Sequence, residues 1–136
     1  MRGPEAVLET ALYARNLDET AGFYADVIGL REHSRSEGRH VFFECGPGMV
    51  MLFNPDATEV PGGKLPVPPH GARGPGHVCF RVDAQALDGW ASWFEGQGVG
   101  IESDFFWPNG ARSIYVRDPA RNSVEVSEPK LWGRPV

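Results

Sequence analysis

The chain has 136 residues, 41% of them hydrophobic and 11% aromatic, which suits one compact domain with a sizeable core and excludes a disordered polypeptide. Its formal net charge is −5 and its 13 Lys and Arg residues are scattered, so nucleic acid and anionic membrane surfaces are not expected partners. No apolar run approaches the roughly 20 residues of a membrane span, the opening MRGPEAVLET does not read as a signal peptide, and Cys45 and Cys79 read as free thiols inside strands; the expectation is a cytoplasmic protein.

In chain order, VLETALYA (7–14) predicts a strand. NLDETAGFYADVIGL (16–30) predicts a helix capped by Asn16 or Asp18, with Phe23, Tyr24, Val27 and Ile28 as its apolar stripe and Gly29 at its end. REHSRS, RHVFFEC and MVMLFNP follow as three short strands joined by the turns EG and GPG. DATEVPGGKLPVPPHGARGPG, rich in Pro and Gly, reads as a long connection of a kind that is often functional. The order then recurs. HVCFRVD is a strand, AQALDGWASWFEGQG a helix with Leu87, Trp90, Ala91 and Phe94 on one face, and VGIESDFFW, ARSIYVRD and SVEVSEP three more strands. Asn109-Gly110 marks a hairpin whose two turn residues both accept positive φ. The unit βαβββ therefore occurs twice: module one spans 5–55, a linker 56–75, and module two 76–130. The expected fold is α+β, a single domain over 1–136. Its two modules build a cup-shaped mixed sheet around a central cavity, with the helices outside.

Side chains alternate faces along a strand. In three strands the greasier set faces the helices, which leaves Glu9, His77 and Glu125 on the other side. Taken singly, each is an ordinary surface group. At equivalent places in a duplicated unit, two carboxylates and an imidazole form a ligand set for a divalent metal. Aligning Pro55 with Pro129 puts Met51 opposite Glu125, a poor donor for a hard cation. The same alternation, with Phe43 matched to Tyr115, assigns Tyr13, Phe43, Met49, Met51, Phe53, Cys79 and Tyr115 to the walls of an apolar pocket. Arg112 is a candidate for steering an anionic substrate. His70, in the rigid Pro-rich linker, is a candidate base or lid contact. His33 and His40 read as exposed strand residues.

The stretches LETALYARNLDETAGFYADVIGL, GPGHVCFRV and YVRDPARNSVEVSEP resemble the vicinal oxygen chelate superfamily of glyoxalase I, bleomycin-resistance proteins, fosfomycin-resistance enzymes and extradiol dioxygenases. The third stretch, with Asp118-Pro119, Asn122 and Glu125, carries the likeness most specifically. The resemblance implies paired βαβββ modules and a metal at the strand positions named above. His77 and Glu125 match family ligands in identity. Glu9 stands where the family more often has His or Gln, and Met51 where glyoxalase I has a carboxylate. A divalent ion is implied, Mn, Fe(II), Ni or Zn, with open positions for a small-molecule substrate that chelates through neighbouring oxygens. Lyase, isomerase or dioxygenase chemistry follows, with Glu9 or His70 as proton-transfer groups. The alternative is a metal-free protein that sequesters an aromatic antibiotic. A homodimer is expected by analogy with the family.

Overall fold

The computed structural model describes residues 1–136, which divide into two compact units, Met1–Gly74 and Pro75–Val136. In the first unit β1 (Glu9–Tyr13) leads to a helix α1 (Leu17–Phe23) and then to β2 (Arg31–Ser36), β3 (His40–Cys45) and β4 (Gly48–Phe53). The chain crosses over to put β1 parallel to β4, and the sheet order is β1-β4-β3-β2. The second unit repeats this with β5 (His77–Arg81), a helix α3 (Leu87–Gly96), β6 (Ser103–Phe106), β7 (Arg112–Arg117) and β8 (Ser123–Ser127), in the order β5-β8-β7-β6. After β4 and β8 the chain makes matching short turns, the helix α2 (Pro55–Thr58) and a 3-10 turn Pro129–Trp132, each with proline in its first turn.

Each sheet buries one face. In the first unit Leu12, Val41, Phe43, Val50 and Leu52 pack beneath Phe23, Tyr24 and Ile28. In the second, Phe80, Ile114, Val116, Val124 and Val126 pack beneath Leu87 and Phe94. The single helix expected over 16–30 is split: α1 widens into a π-helical turn, Tyr24–Ile28, which ends at Gly29 with φ +86. Asn109-Gly110 also departs from expectation. Only Gly110 takes a positive φ, +86. Asn109 closes the turn through its side chain instead, accepting from the Ala111 N–H at 3.0 Å.

The turn Asp118–Asn122 buries the polar residues at its two ends, Asp118 and Asn122. Asp118 accepts from the backbone N–H groups of Ala120 and Asn122, both at 2.9 Å, and from the Asn122 amide at 2.9 Å. Asn122 in turn accepts from the N–H of Gly76 at 2.7 Å. This pins the residue before β5 to the start of β8 and sets the register that pairs His77 with Ser123 and Cys79 with Glu125.

Candidate metal and substrate site

The second unit gathers its polar chemistry on the sheet face away from α3. Glu125, in the middle of β8, is only 4% exposed. A buried carboxylate must be hydrogen-bonded or paired to stay ionised. Ser113 of β7 donates to its Oε2 at 2.5 Å, and Trp107 Nε1–H donates to the Ser113 hydroxyl at 2.8 Å. Ser127 lies 3.0 Å from Ser113 and donates to the Arg112 carbonyl at 2.8 Å, which holds the serine in place.

His77 Nδ1 lies 3.1 Å from the carbonyl oxygen of Ser123. A carbonyl oxygen only accepts, so this contact keeps a proton on Nδ1 and leaves Nε2 to face Glu125. Nε2 is 3.3 Å from Glu125 Oε1. A neutral imidazole lone pair and a carboxylate oxygen repel unless a proton or a cation lies between them. At metal–ligand distances of about 2.0–2.2 Å, neighbouring donors on one ion are roughly 3 Å apart. The pair thus fits two adjacent positions of a divalent metal. No group of three or more His, Cys, Asp or Glu positioned to hold a metal occurs in the chain. Of the three expected ligands, the structure brings His77 and Glu125 together. Glu9 opens β1 in the other unit, where it is exposed.

Two more groups surround Glu125. Tyr115 stacks between His77 and Phe105, with centroid separations of 6.1 Å to each. Burial, then the Glu125 charge, pushes its phenol up to about 12. The same two causes push the Cys79 thiol up to about 12. Both therefore stay protonated at neutral pH, as donors rather than nucleophiles. Cys79 also borders a small cavity of about 170 Å³ with Arg81, Trp132 and Arg134.

The first unit has a larger cavity, about 680 Å³, between the face of its sheet away from α1 and the linker. Glu9, Met51 and Phe53 line it, as does His70. Tyr13 hydrogen-bonds His70 Nδ1 at 2.7 Å, and the His70 ring packs edge-on against Phe53 at 4.6 Å. The linker histidine is thus fastened to β1 and β4. Register makes Met51 the counterpart of Glu125: Met51 pairs with Ala11, and Glu125 with Cys79.

One expected wall residue, Phe43, faces the core instead. Phe43 pairs with Val50 and is 0% exposed, in the core against Tyr24. The residue on the cavity side is Phe42, which pairs with Met51 as Tyr115 pairs with Glu125. A shift of one residue reverses the face of a strand. Arg112 is committed within its own unit. Its guanidinium bonds Asp104 twice at 2.8 Å and Asp88 at 2.6 Å, so it is not presented to an anionic substrate. Sequence reasoning gave Ser113 no role and read His40 as an exposed strand residue, whereas His40 lines the first cavity. Strand parity with Phe42 and Phe53 was the signal that would have found it.

The family model of the Glyoxalase/Bleomycin resistance protein/Dioxygenase superfamily matches residues 6–126. The chain belongs to this superfamily. A lactoylglutathione lyase from Agrobacterium tumefaciens is 46% identical over 98% of this chain and 100% of that one, with a TM-score of 0.94. The fosfomycin resistance protein FosX from Mesorhizobium loti shares the fold at 22% identity, over 96% and 97% of the two chains, with a TM-score of 0.66. A superfamily protein from Nocardioides does so at 19% identity, over 94% and 85%, with a TM-score of 0.73. Superfamily membership agrees with the repeated module. No helix of the chain is long and apolar enough to cross a membrane.

Proposed function

We propose that this protein is a divalent-metal-dependent enzyme whose substrate is a small molecule with neighbouring oxygens. The observation that supports it most is the His77 Nε2–Glu125 Oε1 pair at 3.3 Å, with the far nitrogen of the imidazole on the Ser123 carbonyl. Glu9 holds in β1 the register position that His77 holds in β5. When bound, Mn, Fe(II), Ni or Zn would supply Lewis-acid polarisation of the chelated oxygens. Ser113 and Trp107 hold Glu125 in place for that role. Tyr115 covers the imidazole and offers a hydroxyl that stays protonated.

Among lyase, isomerase and dioxygenase chemistry, the 46% identical relative named as a lactoylglutathione lyase favours the lyase reading. Met51 carries no proton-transfer group, so any proton moved in the reaction falls to Glu9 or to His70, which Tyr13 orients. A homodimeric cytoplasmic enzyme is part of this reading.

Metal analysis of protein purified without chelator tests it. About one ion per chain is expected, with loss of binding in His77→Ala and Glu125→Ala. A stoichiometry near zero that added Mn, Fe(II), Ni or Zn does not restore would refute it. In that case titration with a cationic glycopeptide antibiotic tests the competing reading of a drug-sequestering protein.

A further inference from the structure

We infer that the first unit's cavity binds a ligand with a flat apolar body and an anionic head, a carboxylate or a phosphonate, and that Arg39 and Lys64 receive the head. It deepens the proposed small-molecule reading by naming a ligand class for this cavity, and it does not depend on the metal. The charge pattern carries the argument. In the first unit Arg15, Arg31, Arg35 and Arg73 each pair with a carboxylate. Arg39 and Lys64 form no ion pair, and both line the cavity. The one hydrogen bond from the Arg39 guanidinium goes to the Ala57 carbonyl at 3.4 Å, which leaves most of its donors unused. Glu9 is the one acidic residue in the lining, so two cations face one carboxylate in a chain of net charge −5. A planar guanidinium with unused donors matches a carboxylate or phosphonate in geometry as well as charge.

The wall supplies the second part. His40 and Phe42 stack face to face, centroids 3.9 Å apart and planes 4° from parallel, and Phe53 meets both edge-on. Such a platform accepts a flat apolar group. His40 Nδ1 is the one buried side-chain polar atom without a hydrogen-bond partner. Burial, and then the Arg39 cation, lowers the His40 pKa, which keeps the imidazole neutral and able to accept.

The test is a chemical-shift titration of metal-stripped protein with benzoate, phenylphosphonate and the neutral benzamide. Both anions are expected to shift resonances of the cavity wall. Benzamide should bind at least about tenfold more weakly, the loss of one charge-assisted hydrogen bond. Arg39→Met and Lys64→Met keep the apolar stems and remove the charge; each should reduce the preference, and the double variant should abolish it. Neither belongs to the metal set, so metal content should stay at wild-type level in both. Equal binding of benzamide, a charge preference that survives the double variant, or no binding of any probe to folded protein overturns the inference. Anion binding in protein that takes up no metal leaves the inference standing and removes the metal reading alone.

Discussion

Replacing Ser113 with alanine removes one oxygen from the centre of the Glu125 network. Ser113 is 0% exposed, donates to Glu125 at 2.5 Å and accepts from Trp107 at 2.8 Å. The lost bond to a carboxylate is worth about 1.5–3 kcal/mol, and an indole N–H left without an acceptor adds about 1 kcal/mol, at the low end because Trp107 is only half-buried. Ser113→Ala should therefore lower the unfolding free energy of the metal-free protein by about 2.5–4 kcal/mol. Urea unfolding followed by tryptophan fluorescence and circular dichroism measures this, provided the slope with denaturant is unchanged. The same variant should weaken metal binding by roughly 10–100-fold, the usual effect of removing a group that orients a ligand. A stability within about 0.5 kcal/mol of wild type, as for an ordinary surface change, together with unaltered metal affinity, would show that Ser113 does not hold Glu125.

Three further outcomes follow from the same geometry. Asp118→Ala removes the acceptor for three donors in the turn before β8 and should cost about 3 kcal/mol or more by urea unfolding; a neutral result would mean that the turn does not set the β5–β8 register. Phe43→Ala should cost about 3–5 kcal/mol because the side chain is fully buried, and Phe42→Ala clearly less; the reverse order in thermal unfolding would restore Phe43 to the cavity. His40, held low by burial and then by Arg39, binds a proton less readily in the folded chain than in the unfolded one. Its contribution to stability is complete above the ordinary value of about 6.5 and is lost as pH falls through the lowered folded value. Titration of its ring protons checks this: Arg39→Met should move the midpoint up, and a wild-type midpoint at or above 6.5 contradicts it.

The repeat was legible because two amphipathic helices and two sets of alternating strands recur in one order, and Pro55 and Pro129 mark the same turn after β4 and β8. That alignment made Met51 the counterpart of Glu125, and the strand registers agree with it. The misassignment of Phe43 has a geometric cause. The β3–β4 connection is much shorter than the turn Asp118–Asn122 between β7 and β8. Matching the strands by letters across unequal turns slipped the pairing by one and reversed the face. Arg112 was misread because its partners, Asp104 on β6 and Asp88 on α3, are brought beside it by sheet pairing and helix packing, not by local spacing. The bond between Tyr13 and His70 spans 57 positions and involves a linker without periodicity, so no pattern announces it.

Anomalous scattering from crystals grown with Mn or Zn tests the central claim most directly. The account predicts one ion at about 2.0–2.2 Å from His77 Nε2 and from a Glu125 carboxylate oxygen, with His77 Nδ1 still on the Ser123 carbonyl. Full occupancy elsewhere, or no ion beside His77 and Glu125 at saturating metal, would contradict it.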